Sequence, residues 1–464
     1  MLGIGLGVLM FTLDTSIVNI ALPTLVQELR TSFATIQWVV LSYLLVITAL
    51  VLGAARLGDM LGKKRLYLIG LVIFTISSLL CGLAPSVGFL IGFRALQGFG
   101  ALFISALGAA IITEVFPDSE RGRALGIIGA IVSLGIALGP TVGGLLIGIA
   151  GWRTIFLVNV PIGIFASFIV VRVVPSTMRS GAGQRFDVLG ALIIMVTLVS
   201  FALGMTDGQN QGFGSSTTLI LLAAAAIGLV CFLAVESRIK QPMLELAIFQ
   251  NLEFSLSLLL GVLVFIVIAG VILIVPFFLE LVLRYSTQQV GLLLAVSPVI
   301  GGIIAPISGT LSDRFGSRII SLIGLVLMMC SCLWFTTIDA QLTELGYILR
   351  VVPFGLGLGM FQSPNNSAIM GGVSREKLGI ASGLLALSRT LGQTAGVPLL
   401  GAIFAALSLS KASLPPSINV TTAPAEALVY GVQRTFLVAA LILCAAAILS
   451  VVVWKMERSK ARVS

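Results

Sequence analysis

Leu57-Gly58-Asp59-Met60-Leu61-Gly62-Lys63-Lys64 returns as Leu311-Ser312-Asp313-Arg314-Phe315-Gly316-Ser317-Arg318, with leucine, aspartate, glycine and a closing base in step. The step from 57 to 311 is 254 positions, and each copy lies between long apolar runs. A polar loop repeated at that distance in an apolar chain points to a duplicated set of membrane helices. A second pair agrees. Arg94-Ala95-Leu96-Gln97-Gly98-Phe99-Gly100 is echoed by Arg350 through Gly359, with Gly355, Gly357 and Gly359 taking the part of the earlier glycines, and the arginines are 256 apart.

Composition sets the class. Of 464 residues, 58% are hydrophobic and only 10% charged, and the mean hydropathy is +1.15. A water-soluble domain has nowhere to bury that much apolar surface, so the chain is expected to be an all-α integral membrane protein. At about 20 residues per crossing it divides into about fourteen spans, at roughly 3–23, 38–57, 66–84, 88–113, 124–149, 154–174, 188–206, 217–235, 254–277, 289–309, 319–337, 346–369, 378–408 and 431–454.

The net charge of +9 has a topological origin. With the first residue inside, alternate loops collect Lys63, Lys64, Arg65, Arg121, Arg123, Arg179, Arg185, Arg238, Lys240, Arg314, Arg318, Arg375 and Lys377, and the tail adds Lys455, Arg458, Lys460 and Arg462. The opposite loops hold Arg30, Arg153, Arg284 and Lys411. That asymmetry predicts both termini in the cytoplasm and removes any need for a nucleic-acid partner. Asp14 interrupts the first apolar run and no basic segment precedes it, so a cleaved signal peptide is not expected.

Eight elements fit into 254 positions, so the loop after span 2 recurs after span 10. Six helices per half then leave two over, and spans 7 and 8 are the natural insertion, entered through the polar stretch Pro175 to Asp187. The expected layout is a six-helix bundle over 1–175, a linker and inserted hairpin over 176–253, and a second six-helix bundle with a short basic tail over 254–464.

Gly62 and Gly316 allow a tight turn. Asp59 and Asp313, with Lys63 and Arg318 close by, can exchange charge contacts with neighbouring helix ends and so latch one conformation. In span 5, Gly135, Gly139 and Gly143 recur every fourth residue and form a smooth face, beside which Pro140 bends the helix; Gly126 and Gly144 complete the string.

Ionisable residues inside hydrocarbon are costly and mark functional positions. Asp14 lies about 17 Å from the inner end of span 1, and Arg94 about 9 Å below the outer end of span 4, so in a core about 30 Å thick they stand at nearly the same depth. Asp14 is the candidate proton carrier, Arg94 its electrostatic partner, and Gln97 a group that binds substrate or bridges water. The alternative is a static ion pair joining two helices. Asn19, Gln362, Asn365, Arg389 and Gln393 are the polar candidates for a substrate cavity. Spans 9 to 14 carry no deep carboxylate, which argues against divalent organic cations and for lipophilic neutral, zwitterionic or weakly anionic compounds. Glu114, Asp207 and Glu280, at span ends, are expected to be solvated.

These strings resemble the major facilitator superfamily, and in particular its fourteen-span drug:proton antiporter branch, along nearly the whole chain. Leu13-Asp14-Thr15-Ser16-Ile17-Val18-Asn19-Ile20-Ala21-Leu22-Pro23 is similar to that branch's first-span signature, as are Gln37-Trp38 with Tyr43, and Trp152-Arg153 followed by Phe156, Asn159, Pro161 and Gly163. The resemblance implies two six-helix bundles plus an inserted hairpin, rocking around a central cavity, with efflux driven by protons. The Asp59 loop would be the latch, the Arg94 segment would serve proton transfer, and the span-5 glycines would form the antiporter packing motif. Met60, and Ala55 where the family usually has glycine, depart from the latch pattern. No resident cofactor is implied, since the proton gradient supplies the energy and no G-x-x-x-x-G-K-[ST] loop occurs. Expected partners are protons, small lipophilic substrates and the bilayer, with a periplasmic adaptor left open. Export of one dedicated metabolite is the rival within transport. A membrane enzyme is disfavoured by the absence of histidine and of paired intramembrane carboxylates.

Overall fold

The computed structural model describes residues 1–116, 118–175, 187–239, 242, 246–371 and 378–461. At some helical positions, Asp59, Asp313 and Gly126 among them, only the backbone is described. The described residues are helical and contain no strand. Among the described residues, fourteen helices are long and apolar enough to cross a membrane.

Spans 1 to 7 are Leu2–Glu28, Phe33–Val51, Lys63–Gly82, Val87–Ile112, Ile127–Ala150, Thr154–Val173 and Val188–Gln211. Spans 8 to 14 are Ser216–Glu236, Leu252–Val282, Thr287–Ser312, Ser317–Phe335, Glu344–Gly371, Ala381–Lys411 and Ala425–Met456. Span 1 runs through Pro23 for more than a turn beyond its expected end. A membrane helix tolerates proline because neighbouring groups satisfy the freed carbonyl. Span 9 also outruns its expected end, closing in a π-helical turn at Phe278–Val282 just after Pro276; proline's missing N–H breaks the regular ladder there.

The chain divides into two compact units, Met1–Glu245 with Thr287–Gly291, and Leu246–Ser286 with Leu292–Ser464. In the first, span 1 packs on spans 5 and 6, and span 4 on spans 2 and 3. Spans 7 and 8 form a hairpin attached to this unit through span 2. Trp38 Nε1 donates to Thr206 Oγ1 at 3.1 Å and Gln37 Nε2 to Gln209 Oε1 at 3.1 Å, so the hairpin is held by polar contacts as well as apolar area. In the second unit span 9 packs on spans 13 and 14, and span 11 on spans 12 and 14.

The duplication is visible in how backbones touch. A Cβ added to Gly98 would sit 2.7 Å from the Tyr43 carbonyl oxygen, and one on Gly355 2.8 Å from that of Ser297. A Cβ on Gly70 would sit 2.8 Å from the Gly100 carbonyl oxygen, and one on Gly324 2.6 Å from that of Gly357. Tyr43 and Ser297, like Gly70 and Gly324, differ by 254; Gly98 and Gly355, like Gly100 and Gly357, differ by 257. The same glycine contacts thus draw the fourth helix of each half onto its second and third.

The repeated loop is shorter than expected. Asp59 lies in the last turn of a helix that ends at Leu61, and Asp313 in one that ends at Phe315. Only Gly62 (φ +96°) and Gly316 (φ +88°) separate each helix from the next. A side chain in that left-handed region clashes with its own backbone, so glycine makes the one-residue reversal possible.

Candidate functional site

Span 5 decides which way Asp14 faces. A Cβ on Gly135 would meet the side chain of Thr12, and one on Gly139 that of Ser16, so the glycine face lies against these two residues of span 1. The Ser16 hydroxyl seals the contact by donating to the Gly135 carbonyl at 3.2 Å. Asp14 lies midway between them in sequence, about 200° around the helix at 100° per residue, and therefore faces away from span 5 toward spans 3, 4 and 6.

There the carboxylate is fully enclosed, at 0% exposure, and Arg94 at 1%. Arg94 Nη1 donates to Asp14 Oδ2 at 2.6 Å. Gln97 Nε2 donates to Asp14 Oδ1 at 3.0 Å, and Asn159 Nδ2 to the same oxygen at 2.9 Å. Arg94, Gln97 and Asn159 make further hydrogen bonds within the cluster. Arg94 Nε reaches the Val39 carbonyl at 2.9 Å and its Nη1 also serves Gln97 Oε1 at 2.6 Å. Gln97 Nε2 and Asn159 Nδ2 both donate to Ser78 Oγ, at 2.7 and 3.1 Å. The guanidinium lies 4.2 Å from the centroid of Tyr43 and 5.8 Å from that of Phe156. Every contact made to Asp14 comes from a donor, so the site is built around the charged carboxylate.

The sequence candidates Asp14, Arg94 and Gln97 are therefore brought together, and Gln97 spends its polar atoms inside the network. Sequence reasoning assigned no role to Ser78, and it met Asn159 only as part of a family signature. The available signal was weak: a serine in span 3, and an asparagine just past the break at Val158 between Thr154–Leu157 and Asn159–Val173.

The second unit repeats the scaffold without the charge. A Cβ on Gly392 would meet Phe265 and the Ile266 nitrogen as one on Gly135 meets Thr12 and the Leu13 nitrogen. Val267 then takes the place of Asp14, while the offsets above put Cys332 at the place of Ser78 and Phe354 at that of Gln97, all buried. Arg350 stays near the start of its helix, where Nη1 donates to the Gly346 carbonyl at 3.0 Å and Nη2 to Thr337 Oγ1 at 3.2 Å.

The cavity candidates are scattered through both units. Asn19 is half-buried and returns its Nδ2 to the Thr15 carbonyl of its own helix at 2.9 Å. Gln362 and Gln393 are half-buried. Asn365 is buried, with Nδ2 donating to the Ser257 carbonyl at 3.3 Å and Oδ1 lacking a hydrogen-bond partner among the described residues. The Arg389 guanidinium lies 5.2 Å from the Phe265 centroid, and its buried Nε likewise lacks a hydrogen-bond partner.

At the repeated loop, Lys63 Nζ pairs with Glu114 at 3.1 Å, and Lys64 donates to the carbonyls of Val171 and Val174 at the end of span 6. Arg318 Nη1 donates to Ser257 Oγ at 2.8 Å. The side chains of Asp59 and Asp313 lie outside the described residues, as does the surrounding of Gly126. Gly143 continues the smooth face of span 5 against Ile17 and Ile20, with Pro140 and Gly144 alongside within the same helix. Of the acids expected to be solvated, Glu114 is engaged by Lys63, Asp207 accepts from the Ser215 and Thr218 hydroxyls at 3.2 and 2.8 Å, and Glu280 is half-buried in the π turn.

Known proteins share this architecture. The family model described as Major Facilitator Superfamily matches residues 4–397 and, again, 258–464. The chain is 36% identical over 401 residues to the riboflavin transporter RibZ of Clostridioides difficile, covering 86% of each chain. It is 34% identical to the multidrug resistance protein Stp of Mycobacterium tuberculosis, covering 87% of this chain and 75% of that one. It is 33% identical to the tetracenomycin C resistance and export protein of Streptomyces glaucescens, with the same coverage. Among solved structures, a bacterial homologue of the human lysosomal transporter Spinster, inward-facing and unoccupied, superposes with a TM-score of 0.67 at 17% identity, covering 97% of this chain and 95% of that one. With relatives this similar over most of their length, the chain belongs to the major facilitator superfamily, in the company of drug-efflux proteins, and is a multi-span membrane transporter rather than an enzyme.

Proposed function

We propose that this transporter exports lipophilic small molecules across the cell membrane in exchange for protons, by alternating access, with both termini in the cytoplasm. The observation that carries the reading is the enclosed Asp14 carboxylate against Arg94. A carboxylate buried that far from either helix end is costly unless neutralised, and it can be neutralised by Arg94 or by a proton. In this reading one conformation holds Asp14 charged on Arg94. The other opens it to protons from outside, and the exchange between them is what the gradient drives. No resident cofactor is needed, and protons, substrate and lipid are the partners.

The substrate class follows from Arg389. Between Glu253 and Glu280 in span 9, and in spans 12 and 13 beyond Glu344, there is no acidic residue. A guanidinium with an unmet donor, and an asparagine oxygen also unmet, favour a ligand that offers both acceptor and donor atoms, such as a phenol, an enol or an imide. Two readings of the cargo meet here. Resemblance to the multidrug resistance protein favours several different compounds, whereas the 36% identity to a riboflavin transporter favours one metabolite.

Proteoliposomes with an imposed pH gradient decide coupling and cargo together. Tetracenomycin C, riboflavin and a dicationic dye serve as probes. The expected result is gradient-driven accumulation of at least one of the first two, none of the dication, and loss of accumulation in Asp14→Asn. Accumulation that persists in that variant at the wild-type level overturns proton coupling through Asp14.

A further inference from the structure

The Asn159 amide is placed so that it can serve either protonation state of Asp14. In the charged state its nitrogen has two hydrogens and uses both, on Asp14 Oδ1 at 2.9 Å and Ser78 Oγ at 3.1 Å. Its oxygen, on the other side of the same amide, is buried and has no hydrogen-bond partner among the described residues. Such a buried orphan acceptor calls for a reason.

Protonation of Asp14 supplies one. The carboxyl then carries an O–H that must find an acceptor, yet all three of its present neighbours offer N–H groups. Gln97 cannot help, because its Oε1 is held by Arg94 Nη1 at 2.6 Å and turning its amide over would break that bond. The Asn159 oxygen holds no hydrogen bond among the described residues, so turning its amide over breaks no bond on that side. If its amide turns over, the orphan oxygen takes the nitrogen's place, and its two lone pairs can accept from the new Asp14 O–H and from the Ser78 hydroxyl. Ser78 Oγ now accepts from two donors, Gln97 and Asn159, so its own hydrogen is free to turn toward Asn159.

We propose that Asn159 is the positioning residue that reads the proton: its side-chain amide presents nitrogen to the charged Asp14 and oxygen to the protonated one, so that the start of span 6 and the Ser78 position of span 3 change their bonding with the charge on span 1. This rests on the reading that Asp14 takes up the proton. The other titratable or charged groups facing Asp14 are Arg94 from span 4, the Tyr43 phenol from span 2 and the Cys81 thiol from span 3. Span 5 has no titratable residue over Ile127–Ala150, and span 6 has only Arg172, in its last turn.

Infrared difference spectra of the purified full-length transporter in lipid, recorded as the pH is lowered, test the idea directly. A protonated carboxyl band that disappears in Asp14→Asn reports the proton, and an amide carbonyl band that moves under carbon-isotope-labelled asparagine reports the amide. The expected result is that both bands rise with one midpoint, that Asp14→Asn removes both, and that Asn159→Leu removes the amide band while keeping the carboxyl band. A carboxyl band with no accompanying asparagine band, or an asparagine band that survives Asn159→Leu, overturns the role of Asn159 and leaves Asp14 as the proton carrier. Absence of any Asp14 carboxyl band overturns the proton reading itself. Should Asn159→Leu fail to assemble, isotope labelling of the wild type and Ser78→Ala decide the matter. Ser78→Ala is expected to shift the asparagine band, because it removes one of the two hydrogens that the oxygen accepts, and an unchanged band counts against the proposal.

Discussion

Val267 stands in span 9 where Asp14 stands in span 1. Each is two residues beyond the position that meets the glycine face of the fifth helix of its half, at Phe265 against Gly392 and at Thr12 against Gly135. Both are buried at 0% exposure. Duplication supplied one scaffold twice, and a buried ionic network was built on only one copy. The two halves should therefore respond differently to the loss of a polar group and alike to the loss of a glycine.

Arg94→Ala leaves Asp14 as an unneutralised buried charge and should cost about 3–5 kcal/mol of stability. Asp14→Asn combined with Arg94→Leu should recover much of it, since removing both charges together leaves neither one buried and unpaired. Thermal unfolding in detergent, read as a double-mutant cycle, measures this. Additive losses would mean that the two side chains do not share the energy of the 2.6 Å contact.

Lys63→Ala is the contrasting case. The bond between Lys63 Nζ and Glu114 is exposed even though the lysine stem is largely covered, so water screens the two charges and losing the pair should change stability by less than about 1 kcal/mol. A large and salt-independent loss of melting temperature would contradict that.

Gly98→Val and Gly355→Val should each prevent tight assembly of their own half, because the added carbon would overlap a carbonyl oxygen of the second helix. Overpacking of that kind costs about 1–3 kcal/mol and more when backbone must move. Gly92→Ala, six residues before Gly98 in span 4 with no neighbouring atom within 4 Å of the added carbon, should be silent. Size-exclusion profiles and thermal unfolding of the three proteins give the comparison.

Gly62→Ala and Gly316→Ala should each cost about 1–2 kcal/mol, the price of a side chain in the left-handed region. The two reversals have nearly equal φ, so the two losses should agree closely. A harmless result at either site would show that the helix junction can relax.

Arg389→Gln should reduce accumulation of a phenolic or imide substrate about tenfold while sparing an uncharged apolar one, since it removes about 1–2 kcal/mol of charge-assisted hydrogen bonding. Side-by-side uptake of two such probes at several concentrations reads it. Equal loss for both would assign Arg389 to packing on Phe265 instead.

Membrane residence and the number of spans were legible from hydropathy alone, because the bilayer demands a fixed length of apolar helix and the chain supplies it fourteen times. The duplication was legible from two motif pairs. So was the pairing of Asp14 with Arg94, since few ionisable residues lie deep in spans and these two share a depth. Helix ends were less legible: spans 1 and 9 were expected to end at about 23 and 277, and they run on past Pro23 to Glu28 and past Pro276 to Val282. The reversals at Gly62 and Gly316 were expected as loops, and Asp59 and Asp313 proved to lie within the helices before them.

What the amino-acid order determined by itself was a set of apolar helices, their repeat, and a short roster of residues too polar for hydrocarbon. Tertiary structure alone decided which of that roster meet. Asn159 and Ser78 are ordinary polar residues in sequence and join Asp14 only because glycine faces turn span 1 and draw span 4 inward. The offset of 257 that aligns the fourth helices puts buried Val351, not Arg350, at the place of Arg94, and Arg350 one residue earlier turns to the Gly346 carbonyl at its own helix end. Hydropathy and helical period are local properties, whereas a hydrogen bond between residues 145 positions apart exists only once the helices have packed.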